Sequence, residues 1–150
     1  MAQFNMHTFK PGDFTGFMPQ KMQRDEYNRF IEKGIALLEY IENERNTITI
    51  EKSGKTICVF GIHPLKENGC HGWLFFSEGL SGNDLVVAIR MLEAAVLSTA
   101  DMGYEWMQTP VRVDFKEGER MIKMLGFEPT DVKEDLLEDG TIYRYWMRVF

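Results

Sequence analysis

Apolar and polar positions change period several times along this chain, and each change marks an element. Gln3 to Phe9 alternates loosely, as a strand with one buried face does, and Pro11-Gly12-Asp13 breaks it and caps the next segment. Helical spacing then dominates to Asn46, where Tyr27, Phe30, Ile31, Ile35, Leu38 and Ile41 recur three and four residues apart. Pro19 and Gly34 divide that region into two or three helices. Thr47 to Glu51 and Lys55 to Ile62 are rich in Thr, Ile and Val and flank Ser53-Gly54, which predicts a β-hairpin. A loop from Pro64 to Gly69 leads to a strand over Cys70 to Ser77.

Ser81 to Gly103 reads as the longest helix, and its only charges are Asp84, Arg90, Glu93 and Asp101. A helix apolar nearly all round is either deeply buried or shared with a partner. Tyr104 to Val113 comes next as a strand. Asp114 to Phe127 then reads as a short helix in which Asp114 accepts from the free backbone N–H groups and Glu117 reaches back, a capping box. Gly126 supplies the left-handed residue that closes it. Phe127 to Val132 and Thr141 to Phe150 form the last two strands around a turn made acidic by Asp131, Glu134, Asp135, Glu138 and Asp139. The order is β, α, α, β, β, β, α, β, α, β, β, with no internal repeat.

Composition narrows the functional classes. A chain of 150 residues, 44% hydrophobic and 13% aromatic, fits one domain over 1–150 with a sizeable core. A formal charge of −6 and no basic patch argue against nonspecific nucleic-acid binding, which needs cations to displace phosphate counterions. The apolar runs are too short for a membrane span and the first twenty residues lack a signal-peptide pattern, so a cytoplasmic protein is expected. Cys58 and Cys70 read as small buried hydrophobes. His63, Cys70 and His71 stand at the two ends of one loop, but their spacing matches no closed zinc site and no fourth ligand is evident. Most of the ten methionines, Met91, Met102, Met107, Met121 and Met124 among the set, are expected to face the core, and Trp73, Trp106 and Trp146 to anchor it.

A helix ending in Leu125-Gly126-Phe127 before a closing hairpin resembles the C-terminal segment of the GNAT superfamily of acyl-CoA-dependent N-acetyltransferases. The order of elements is similar to the GNAT fold over essentially the whole chain: a mixed central sheet of about seven strands flanked by about four helices. Asp13-Phe14, Trp73, Leu80-Ser81-Gly82 and the acidic hairpin with its aromatic last strand further resemble short GNAT-like proteins of short-tailed bacteriophages, some of them internal virion proteins.

The resemblance implies that acetyl-CoA is held by the fourth strand and the turn after it, through Phe76, Ser77, Gly79, Leu80, Ser81, Gly82 and Asn83. Backbone N–H groups at a helix N-terminus suit a pyrophosphate. Gly79 and Gly82 allow close approach, and Ser81 with Asp84 makes a helix start. The turn carries no cation of its own, and Glu78 and Asp84 oppose an anion unless basic residues arrive from elsewhere. A flexible turn capping a core helix is the alternative for the same residues. The base that deprotonates the amine acceptor is expected to be Glu78 or His71. An edge histidine with no chemical role is the alternative for His71.

Two family features are replaced. Ile122 stands where many members place a Tyr that protonates the departing thiolate, and Phe115 stands where an Asn is usual. Tyr104 and Tyr143 lie on predicted strands and could supply an acid by geometry, and packing is their simpler role. The acidic turn is either a solvated tip or a border that steers a cationic acceptor. Two functions therefore stay open. One is acetyl transfer to a small-molecule or protein amine. The other is a non-catalytic GNAT-fold protein that binds a virion or host protein or self-associates, using the apolar helix and Ile142 to Phe150 as surfaces.

Overall fold

The computed structural model describes residues 3–32 and 47–150. The expected helical positions Gly34, Ile35, Leu38 and Ile41 lie outside them. Seven strands form one sheet in the order β1-β2-β3-β4-β5-β7-β6. They are β1 (Phe4–Thr8), β2 (Ile48–Lys52), β3 (Lys55–Pro64), β4 (Gly69–Phe76), β5 (Trp106–Arg112), β6 (Glu128–Glu134) and β7 (Tyr143–Val149). Three α-helices fall among the described residues, α1 (Arg24–Glu32), α2 (Gly82–Asp101) and α3 (Lys116–Met124), against about four expected. The chain divides into two compact units, Met1–Gly61 with Leu74–Met91 and Ile62–Trp73 with Leu92–Phe150.

In the first unit, β1, β2 and β3 pair antiparallel. Ser53 and Gly54 both take positive φ at the β2–β3 turn, the twist that a two-residue hairpin requires. Ile50, Cys58 and Val59 are fully buried there. A chain of rings packs below: Phe14 lies 5.0 Å from Phe9 and 5.3 Å from Tyr27, and Phe75 lies 5.3 Å from Tyr27 and 5.5 Å from Phe30. Tyr27 and Phe30 are therefore the aromatic wall of this core, each ring pair adding to the area it buries. Pro11–Phe14 forms a 3-10 turn in which Asp13 accepts from the Lys10 N–H at 2.8 Å and the Thr49 hydroxyl at 2.7 Å.

In the second unit, β4 and β5 run parallel, pairing Gly69–His71 with Trp106–Gln108, while β7 is antiparallel to β5 and β6. The Trp106 indole lies against the backbone at Gly69, where any Cβ would collide with it. Gly118, Met121, Ile122 and Leu125 form the buried stripe of α3 at helical spacing, with charged residues on its other side. Burial of each large apolar side chain is worth roughly 1.5–3 kcal/mol.

The start of α3 departs from expectation. Asp114 does not cap it, because the Arg112 guanidinium takes both its oxygens at 2.6 and 3.1 Å. A two-pronged charged pair outcompetes a backbone N–H for the same carboxylate. Phe115 occupies the cap position without a side-chain bond, and its ring lies over Gly118, where no Cβ would fit.

Helix α2 is also less enclosed than its composition predicts. Ala88, Leu92, Val96 and Thr99 are buried, whereas Val86 and Leu97 are exposed. Met102 and Met124 are exposed as well, so only part of the methionine set is core, Met107 and Met121 among it.

Candidate functional site

The first unit brings most of the implied site residues into one turn between β4 and α2. Gly79 takes φ +72 there, the left-handed conformation that lets the chain reverse without strain. Ser81 caps α2: its hydroxyl accepts the Asp84 N–H at 3.1 Å and its carbonyl accepts the Leu85 N–H at 3.0 Å. Gly79, Leu80, Gly82 and Asn83 retain backbone N–H groups with no protein acceptor among the described residues. The space where a Cβ would stand at Gly79 or Gly82 is open.

Phe76 and Ser77 are placed differently. Ser77 donates its N–H to the Ile57 carbonyl of β3 at 2.9 Å, and Phe76 donates to the Gln23 side chain at 2.9 Å. Both donors therefore serve the fold.

Two cations reach this turn from distant parts of the sequence. The Arg24 guanidinium at the start of α1 lies 2.6 Å from the Glu78 carboxylate. Lys52 at the end of β2 places its ammonium 2.8 Å from Asp84. The hydrogen bond from Lys52, with further bonds from Ser81, holds the Asp84 carboxyl below its ordinary range, so it is ionised at neutral pH. The turn's acids are thus neutralised locally, a charge balance that its own residues do not foretell. No local pattern marks Arg24 or Lys52, which stand 54 and 32 residues from their partners. Gln23 is equally unmarked, 51 residues from the carbonyl it binds.

Glu78 has about half its side chain in water and pairs directly with Arg24. His71 lies in the second unit, on the stretch of β4 that pairs with Gln108. Burial, and then the nearby His63 imidazole, lower its pKa, which keeps the ring neutral and able to accept a proton at neutral pH.

Elsewhere in the second unit, Ile122 is buried and its carbonyl accepts the Phe127 N–H at 3.2 Å. Gly126, at φ +88, donates to the Lys123 carbonyl at 3.0 Å, which completes a Schellman closure of α3. Position 122 is therefore a packing position with no proton to give. Tyr143 is fully buried. Tyr145 donates to Glu134 at 2.8 Å, and burial together with that carboxylate pushes its pKa up to about 12.

The acidic turn organises itself. Asp135 accepts from the Asp139 and Gly140 N–H groups at 3.1 and 3.0 Å, and Asp139 accepts from Thr141 at 2.9 Å. Two of its five carboxylates are thus held by the loop's own backbone.

Both cysteines are buried, and burial raises their thiol pKa, that of Cys70 to about 11. Among the described residues no cluster of three His, Cys, Asp or Glu side chains suits a metal ion, and no helix is long and apolar enough to cross a membrane.

No protein-family model and no curated protein sequence matches this chain. Solved structures do. Ard1 from Thermoplasma volcanium is similar with a TM-score of 0.76 at 15% identity, over 97% of both chains. A ribosomal-protein-alanine N-acetyltransferase from Brucella melitensis superposes with a TM-score of 0.71 at 10% identity, over 97% of this chain and 99% of the other. YncA from Salmonella typhimurium, a putative acetyltransferase solved with acetyl-CoA, gives 0.69 at 10% identity, over 97% and 93%. At these identities the likeness establishes a shared fold, the one used by GNAT acetyltransferases, and leaves chemistry to the site.

Proposed function

We propose that this chain is an acyl-CoA-dependent N-acetyltransferase that works by direct transfer to an amine. The observation that carries the reading is the set of N–H groups at Gly79, Leu80, Gly82 and Asn83 that have no protein acceptor among the described residues, with Lys52 and Arg24 paired to the acids of the same turn. N–H donors at a helix N-terminus, open space over two glycines and cations that cancel the turn's own acids fit a pyrophosphate. Acetyl-CoA would supply an activated thioester.

The residues of this chain then have separable tasks. Gly79, Leu80, Gly82 and Asn83 hold phosphate oxygens, and Lys52 adds charge at the same end of α2. Glu78, half in water and paired with Arg24, is the first candidate to take the proton of the amine acceptor, and neutral His71 is the second. With position 122 an aliphatic core residue, the departing thiolate takes its proton from solvent or from another side chain.

A second reading stays beside it. Residues 18–23 already pair with the edge of β4 that an extended ligand would need. A non-catalytic GNAT-fold phage protein that binds a virion or host protein would keep such an edge closed.

Titration calorimetry with acetyl-CoA separates the two, with a Gly79→Asp/Gly82→Asp double variant as control. Micromolar binding that the variant loses supports the enzyme and directs the search to acceptors. No heat at millimolar ligand overturns it in favour of a protein-binding scaffold.

A further inference from the structure

In the first unit the chain occupies one of its own strand edges. Backbone groups of a strand point alternately to its two sides, and Ser77 donates toward β3, so Leu74, Phe76 and Glu78 present theirs on the other side. There Gln20 donates its N–H to the Phe76 carbonyl at 2.9 Å, and Glu78 donates to the Met18 carbonyl at 2.8 Å. Residues 18–20 thus lie antiparallel to residues 76–78, centred on a bridge between Pro19 and Ser77.

A side chain continues the pairing where the backbone turns away into the 3-10 turn Lys21–Gln23. The Gln23 amide nitrogen donates to the Leu74 carbonyl at 2.8 Å, and its oxygen accepts the Phe76 N–H at 2.9 Å. A carboxamide carries one acceptor and a donor beside it, as a peptide unit does, so buried Gln23 imitates one residue of a neighbouring strand. Four successive edge groups are satisfied, two of them by one rotatable side chain. A ligand made of extended amides, laid along this edge, would use the same four groups.

We propose that residues 18–23 form a strap that closes the β4 edge in the ligand-free chain. The acyl-pantetheine arm of acyl-CoA, which carries two amides, pairs with β4 only after Gln23 swings away and the backbone of residues 18–20 peels off with it. This rests on the acyltransferase reading above. It makes Gln23 a positioning residue that governs affinity for the amide arm and leaves the nucleotide half, held at Gly79–Asn83, unaffected. Each hydrogen bond contributes only a modest net amount against water, so the open strap is a minor state within reach. A competent fraction of about one in ten lowers apparent affinity about tenfold.

The first test is amide hydrogen exchange on the ligand-free wild type. Phe76 is expected to exchange by local opening, about a hundredfold faster than Ile50 and Val59 in the core. Exchange of Phe76 only at the rate of those core amides overturns the strap. The second test titrates acetyl-CoA and adenosine 3′,5′-bisphosphate into wild type and Gln23→Met, which keeps the side-chain length and removes both hydrogen bonds. Acetyl-CoA should bind the variant about tenfold more tightly, with the bisphosphate unchanged. If both ligands bind wild type but acetyl-CoA gains nothing in the variant, the strap is overturned and the acyltransferase reading stands. If neither ligand binds either protein, the reading itself falls and the gating role with it. Should Gln23→Met fail to fold, the exchange rate of Phe76 decides.

Discussion

Replacing Gly126 with alanine tests whether the Leu-Gly-Phe ending is fixed by backbone geometry. Gly126 holds φ +88, and an L-residue in the left-handed region costs about 1–2 kcal/mol. The added Cβ would stand 3.1 Å from the Arg148 guanidinium carbon and from its Nη1. That guanidinium must move, although its Nη1 donates to the Leu125 carbonyl at 2.6 Å and helps close α3. Loosening a charge-assisted hydrogen bond adds roughly 1 kcal/mol, kept low because Arg148 is partly in water. The sum is about 2–3 kcal/mol, or a fall in Tm of about 4–12 °C for a chain of this size. Urea unfolding at fixed m-value, paired with calorimetry, measures it. Gly12→Ala is the control, since Gly12 has a negative φ and nothing near its Cβ position; it should change stability by less than about 0.5 kcal/mol. Gly126→Ala in an Arg148→Ala background should cost about 1 kcal/mol less than in wild type. A loss below about 0.5 kcal/mol in the single variant would show that the helix end tolerates side chains and that the motif has no backbone cause.

The site and its surroundings lead to three further expected outcomes. Glu78→Gln should lower acetyl transfer at least about tenfold while leaving stability within about 0.5 kcal/mol, because its ion pair with Arg24 is exposed; an unchanged rate removes Glu78 as the base. His71 has a lowered pKa in the folded chain, so below pH 6.5 the unfolded state binds the proton first and stability falls as pH falls toward the folded pKa. Wild type should therefore lose stability more steeply than His71→Gln as pH falls below about 6.5, and parallel profiles would contradict the burial of this imidazole. Cys58 and Cys70 should react with a disulfide reagent at neutral pH only through unfolding, at rates that rise with urea, since burial raises both thiols; rapid labelling of native protein would count against it.

Much of the fold was legible because local rules act over a few residues. Alternation placed every described strand within about two residues, the usual uncertainty of element ends, whereas α1 was located only within a longer helical region and α3 ends three residues inside its expected span. Ser53-Gly54 and Leu125-Gly126-Phe127 were readable because only certain residues accept a positive φ. Asp114 misled because its capping rule considers four consecutive residues, whereas Arg112, two residues earlier at the end of β5, binds the same carboxylate more strongly. The exposure of Val86 and Leu97 was hidden for a similar reason: composition counts apolar residues on a helix and cannot tell which of its faces is covered.

The order of elements, the glycine turn after the fourth strand and the lack of a cation within that turn are all written in the linear chain. The delivery of Arg24 to Glu78, of Lys52 to Asp84 and of Gln23 to the edge of β4 came with folding alone. The difference is one of range. Backbone conformation is set by neighbours a few residues away, but the charge and the free hydrogen-bonding groups of a site depend on side chains that folding brings from 32 to 54 residues off.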